Sequence, residues 1–211
     1  MTYPNCLHSL EHFARIEDCT SEQIAALLAY AIEQKAVFRE GKLAPKHDRR
    51  TLAMIFEKAS LRTRVSFEAA MTHLGGHAIC LEPQHIGLGK RESVADVARV
   101  TGRMCDAIMA RTFSQKYVDD LAAYSGVPVI NGLTDDLHPC QAMADMMTMT
   151  EHFGGASERV VVFVGDGNNV ARSIAWVCCK LGCGFVHVGP ASHRIEPALL
   201  ERLSAMAPGR R

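Results

Sequence analysis

Apolar positions recur along the chain at two periods, and the alternation between them sets out the expected elements. Ile24, Leu27, Leu28, Ala31 and Ile32 fall at helical spacing behind Thr20-Ser21-Glu22-Gln23, where Thr20 and Gln23 form a capping box. Gly41 is the expected stop of that helix. Thr51–Phe56 is a short apolar run of strand length, and further strands are expected at Ala78–Leu81, Asp106–Arg111 and Pro128–Asn131. Helices are expected at Leu61–Leu74, Glu92–Met104, Gln115–Tyr124 and Pro139–Phe153. This alternation predicts βαβ units, and so an α/β fold with a parallel sheet flanked by helices and right-handed crossovers.

Gly154-Gly155-Ala156-Ser157 interrupts the pattern and divides the chain into expected domains 1–153 and 154–211. The second part carries a β-branched strand at Arg159–Val164, a helix from Asn168/Asn169 to about Leu181, a strand at Phe185–Val188 and a helix at Pro197–Met206. Two strands leave much apolar surface uncovered, so this domain is expected to be incomplete and to need about a hundred residues more.

Lys plus Arg and Asp plus Glu number 23 each in 211 residues, a balance that argues against nucleic acid or a membrane surface as partner. Any anion must be held by a few placed arginines. The eight cysteines follow no disulfide framework and read as free thiols of a reducing compartment. Neither they nor His73, His77 and His85 show ligand spacing, so no metal is expected. Met1 to Asn5 lack a signal-peptide pattern, and no apolar run approaches the ~18 residues of a membrane span. The expectation is a soluble, cytoplasmic protein. Met143, Met146, Met147, Met149 and Trp176 read as packing residues, and Glu92 to Arg99 as a solvated face.

Phe56-Glu57-Lys58-Ala59 leads from the first strand into Ser60-Leu61-Arg62-Thr63-Arg64. A helix start of this composition offers backbone N–H groups, a favourable dipole, hydroxyls from Ser60 and Thr63, and the planar fork of Arg62 to a phosphate. A capped helix with solvated arginines accounts for the same residues equally well. Arg111 ends a strand, and His138-Pro139-Cys140-Gln141 opens a helix shortly after another. Ligands of open parallel sheets gather at such carboxyl ends, which makes Arg62, Arg111, His138 and Gln141 candidates for one chemistry.

IFEKASLRTRVSFEAAM, GLGKRESVADVARVTGRMCDAIMARTF, NGLTDDLHPCQAMADMMTMTEH and VFVGDGNNVARSI resemble, in order and spacing, the ornithine carbamoyltransferases. SxRTR and HPxQ are shared with aspartate carbamoyltransferases; the Phe56-Glu57-Lys58 lead-in, Cys140 and GDGNN are closer to the ornithine branch. The resemblance implies two α/β domains with the active site between them, the first binding carbamoyl phosphate and the second L-ornithine. It also implies a homotrimer or a multiple of one, and no cofactor. Ser60, Leu61, Arg62 and Thr63 would bind the phosphate of carbamoyl phosphate. Arg111 and His138 would contact its carbamoyl oxygen and Gln141 its amino group, while Asn169, positioned by Asn168, would contact ornithine. The products would be L-citrulline and phosphate.

Leu61 stands where the family pattern most often has Thr, which removes a hydroxyl but keeps the backbone N–H. Gly87 falls where many relatives carry a Gln that reaches the adjacent subunit's site; Lys90 or Arg91 could replace it. The later family motifs, an Asp followed by Ser-Met-Gly and a His-Cys-Leu-Pro segment, are absent from the 211 residues. The expectation is therefore phosphate-ligand binding without useful turnover, or a subunit that acts only when assembled with intact chains. An acceptor such as aspartate is a further alternative. GDGNNV also resembles a dinucleotide fingerprint, a weak match because Val170 replaces the third glycine.

Overall fold

The computed structural model describes residues 4–89 and 91–206, so Lys90 lies outside the described residues. Among the described residues, helices α1 (Ser21–Arg39), α2 (Leu61–His73), α3 (Pro83–Ile86), α4 (Val94–Met104), α5 (Gln115–Ser125), α6 (Pro139–Phe153), α7 (Asn169–Leu181) and α8 (Pro197–Met206) alternate with six strands. The strands are β1 (Thr51–Phe56), β2 (His77–Leu81), β3 (Ala107–Arg111), β4 (Val129–Leu133), β5 (Val160–Val164) and β6 (Gly184–Val188), with short 3-10 turns at Asn5–Ser9 and Ala191–His193. The α/β reading with parallel sheets holds: one sheet runs β2-β1-β3-β4, the other pairs β5 with β6, and every pairing is parallel. The capping box forms reciprocally, Thr20 N–H to Gln23 Oε1 at 2.8 Å and Gln23 N–H to Thr20 Oγ1 at 3.1 Å.

The chain packs as two compact units. One comprises Glu11–Ala14 and Gln34–Asp135 and contains the four-stranded sheet. Its central strands β1 and β3 are buried on both faces, as a parallel sheet covered by helices requires, whereas the edge strand β2 stays partly exposed. Ala53, Ile55, Ile108 and Ala110 pack with Val97, Val118 and Leu121 of α4 and α5. Leu52, Met54, Phe56 and Met109 face Phe67 and Met71 of α2. Phe13 forms a parallel bridge to Ile130 alongside β4.

Of the described residues, the other unit contains 4–10, Arg15–Glu33 and 136–206. Its centre is α7, in which Ser173 to Cys178 are all buried. Lys180 at the end of α7 donates to the carbonyls of Glu17 (2.9 Å) and Cys19 (2.5 Å). Helix α6 belongs here because it packs along α7, so this partition by packing falls at 135/136, whereas glycine composition suggests 153/154. The β5–β6 pair exposes Val160, Val162, Val164, Val186 and Val188 on its uncovered face. No helix of the described residues is long and apolar enough to cross a membrane.

Candidate anion-binding and substrate-binding residues

In the unit built on the four-stranded sheet, three strand ends are laced together at the carboxyl edge. Glu57 N–H donates to the Arg111 carbonyl at 2.8 Å, and its carboxylate accepts from Phe113 N–H at 3.2 Å. Asp135 N–H donates to the Phe113 carbonyl at 2.9 Å. Lys58 reaches the Asp135 carboxylate and lies 4.5 Å from the centre of the Phe113 ring. These contacts fix the exit of β1, and α2 starts from it.

Ser60 is the N-cap of α2, extended at φ −158° and ψ 113°. Its Oγ accepts from Thr63 N–H at 3.3 Å while its hydroxyl donates to Thr63 Oγ1 at 3.0 Å. With the Thr63 amide taken, Leu61 and Arg62 supply the open N–H donors of the first turn, at the positive end of the helix dipole. The Leu61 side chain is 79 % exposed, so it contributes its backbone rather than its side chain to this turn.

Arg111 arrives from β3. The β3–β4 register shifts between Ala110, opposite Asn131, and Arg111, opposite Leu133, a bulge that re-aims the arginine side chain. Its Nη1 donates to Thr63 Oγ1 at 3.3 Å, and its Nε is buried without an acceptor among the described residues. Burial, and then the charge of Arg62, lower its pKa from the ordinary 12.5. Ser60, Arg62, Thr63 and Arg111 are thus brought together as a cluster of hydrogen-bond donors and positive charge, chemistry that suits an anion.

The other unit carries the remaining candidates. His138 is the N-cap of α6, with Pro139 at the first helical position, and its N–H donates to Ser173 Oγ at 2.8 Å. Gln141 is exposed and its amide donates to Asp145 at 2.9 Å; burial raises the Asp145 carboxyl above its ordinary range, with the Gln141 bond opposing. Burial pushes the Cys140 thiol up to about 12, so it stays protonated at neutral pH. Asn168 caps α7, its Oδ1 accepting from Val170 N–H (3.0 Å) and Ala171 N–H (3.3 Å), and Asn169 is the first helical residue, half-buried.

Other features read from sequence have local explanations. Gly167 N–H donates to the His193 carbonyl at 2.7 Å, and a Cβ there would lie 2.4 Å from the Ile195 nitrogen. That glycine admits the chain's own backbone, which accounts for GDGNNV without a dinucleotide. Gly87 has φ +58°, a conformation that disfavours any residue with a side chain, Gln included, and its carbonyl accepts from Arg91 N–H at 2.8 Å. Trp176 and Met146 are buried packing residues. No disulfide joins the cysteines among the described residues. A cavity of about 460 Å³ opens at the amino edge of the four-stranded sheet, walled by Leu52, Phe67, Met71, Leu74, Pro128 and Ile130; Arg50 lines it, but neither Arg62 nor Arg111 does. No group of three or more His, Cys, Asp or Glu among the described residues could hold a metal ion.

Sequence reasoning missed the Glu57–Phe113–Asp135 lacing, the bulge before Arg111, and Ser173. The prior signal was a serine at the head of the apolar run Ile174–Cys178.

Residues 11–151 match the family model described as "Aspartate/ornithine carbamoyltransferase, carbamoyl-P binding domain". An ornithine carbamoyltransferase of Thermotoga petrophila is 50% identical over 191 residues, covering 90% of this chain and 61% of the relative. The anabolic ornithine carbamoyltransferase of Pyrococcus furiosus is 48% identical over 186 residues, covering 88% and 59%. Among solved structures, that of ornithine carbamoyltransferase from Pyrococcus furiosus superposes with a TM-score of 0.91 at 46% identity, covering 93% of this chain and 63% of that one. The Thermus thermophilus structure gives 0.85 at 39% identity. The chain spans about three fifths of the length of these curated relatives.

Proposed function

The chain belongs to the aspartate/ornithine carbamoyltransferase family, and from that premise we propose that it transfers the carbamoyl group of carbamoyl phosphate to the δ-amine of L-ornithine. The products are L-citrulline and phosphate. The observation that carries this reading is Arg111: a buried Nε without an acceptor, beside a second arginine and an open helix start. An oxyanion supplies both the missing acceptor and the missing charge.

In this reading the amides of Leu61 and Arg62, the Arg62 guanidinium and the hydroxyls of Ser60 and Thr63 hold the phosphate. Arg111 and His138 stabilise the carbamoyl oxygen, and Gln141 binds the carbamoyl amino group. Asn169, on the turn that Asn168 caps, binds ornithine. The neutral δ-amine attacks the carbamoyl carbon, and negative charge builds on the oxygen that Arg111 and His138 face. The C–N bond forms, the bond from carbon to the phosphate oxygen breaks, and the amine loses a proton. The leaving group is already activated, so the side chains position the reactants and supply complementary charge, and no cofactor is called for. Residues 1–153 serve carbamoyl phosphate and 154–211 begin the ornithine-binding part. A cytoplasmic homotrimer working in arginine synthesis belongs to the same proposal. The relatives' names favour ornithine over aspartate as acceptor.

Titration calorimetry with inorganic phosphate tests the reading. The wild-type chain binds it, and Arg111→Met weakens binding about 10- to 100-fold, the range for losing a hydrogen bond to a charged group. Unchanged phosphate affinity in Arg111→Met would overturn it.

A further inference from the structure

Helix α7 is apolar over Ile174 to Cys178, yet Ser173, only 1% exposed, sits at the head of that run. A buried hydroxyl in such a setting is costly unless it is hydrogen-bonded, and Ala would pack there without that cost. The bond it makes is to the backbone of His138, whose N–H it accepts at 2.8 Å.

That amide has a particular need of a partner. An N-cap N–H lies outside the helical ladder, and His138 sits at φ −138° and ψ 70°, outside both helical and regular strand geometry, with no side-chain capping bond. Pro139 fixes the residue after it, and Ser173 fixes the residue itself. The neighbouring Arg172 also reaches the chain that leads into His138. Its guanidinium lies 3.9 Å from Asp136 and pairs with Glu196 through Nη2 at 2.5 Å and Nε at 3.2 Å. Asn168 and Asn169 stand four to five residues earlier on the same helix.

We propose that Ser173 is a positioning residue for His138: through its hydrogen bond to the His138 amide it sets the imidazole on the same helix that presents Asn169. The turn offered to the carbamoyl group and the turn offered to the amino acid are thereby referenced to one rigid element. This rests on the reading of His138 as a contact of the carbamoyl oxygen.

The test compares two probes on the full chain. Inorganic phosphate reports the Ser60–Arg111 cluster alone; phosphonoacetamide, the methylene analogue of carbamoyl phosphate, also presents a carbamoyl-like amide. Wild type binds phosphonoacetamide more tightly than phosphate. Ser173→Ala leaves phosphate affinity unchanged and reduces phosphonoacetamide affinity about fivefold, the size of one ordinary hydrogen bond. Ser173→Thr, which keeps the hydroxyl, restores it. In a His138→Ala background, Ser173→Ala has no further effect, a coupling that general loosening of the fold does not produce. Melting curves establish that each variant is folded, and if Ser173→Ala is not, Ser173→Cys takes its place in the cycle. The inference is overturned if the Ser173 variant keeps the full preference for phosphonoacetamide, or if its effect persists without His138. Failure of wild type to bind phosphate at all would instead sink the functional reading, and this inference with it.

Discussion

At Arg111, burial and the neighbouring Arg62 both disfavour the charge that β3 and its bulge hold in place. A residue kept in that state, with a buried Nε lacking an acceptor, is stabilised by an incoming oxyanion rather than by the fold, and the arginine mutation proposed above exploits this. Thiols give a second residue-scale consequence, with an opposite relation to charge. Burial raises Cys19 from 9.0 to about 11 and Cys140 from 9.0 to about 12, so the folded chain holds these protons more firmly than the unfolded one. Their stabilising contribution is complete below pH 9, where the unfolded thiols are still protonated, and is lost as pH rises through 11 to 12. Urea midpoints measured at pH 8 and pH 10.5 should show wild type falling further than a Cys19→Ala/Cys140→Ala variant. Equal losses in the two proteins would count against the burial of these thiols.

At the scale of elements, the β5–β6 pair stands apart. Val160, Val162 and Val164 alternate onto one face of β5, and the parallel register sets Val162 beside Val186 and Val164 beside Val188. A contiguous apolar stripe of this kind binds environment-sensitive apolar dyes, and Val162→Lys with Val164→Lys should cut that fluorescence by roughly half or more. A double variant with undiminished dye binding would place the apolar surface elsewhere. The existence of β5 and β6 was legible because β-branched runs bounded by glycine mark strands locally, and β1, α6 and α8 fall where their apolar spacing and their Pro and Gly punctuation put them. The Ser60–Thr63 cap was legible for the same reason, its partners being three residues apart. The rest depended on partners distant in sequence. Arg111 meets Thr63 across 48 residues, and His138 meets Ser173 across 35. The bulge that turns Arg111 follows from β3–β4 pairing, which no local pattern encodes. The grouping of α6 with α7 is likewise a packing outcome that the Gly154-Gly155 punctuation does not reveal.

For the whole molecule, the family match over residues 11–151 runs past the packing boundary at 135/136, so the stretch matched by the family model and the compact unit are different partitions of the chain. The anion cluster of Ser60, Arg62, Thr63 and Arg111 lies wholly within the unit of Gln34–Asp135, whereas His138 and Asn169 lie in the other. A ligand that binds only the native state stabilises what it touches, by about 2.7 kcal/mol at a hundred times its Kd. Amide exchange reports such stabilisation locally, because openings differ in free energy from one region to another. Saturating inorganic phosphate should therefore slow exchange at Leu61, Arg62 and Phe113, and through α2 and β3, by up to about a hundredfold. Residues 160–206 should exchange as before, since phosphate offers nothing to the α7–α8 portion. Phosphonoacetamide should add protection at His138 and Gln141, because its amide presents the group these residues are proposed to read. Equal protection of 160–206 by phosphate would mean that the anion is held outside the Ser60–Arg111 cluster.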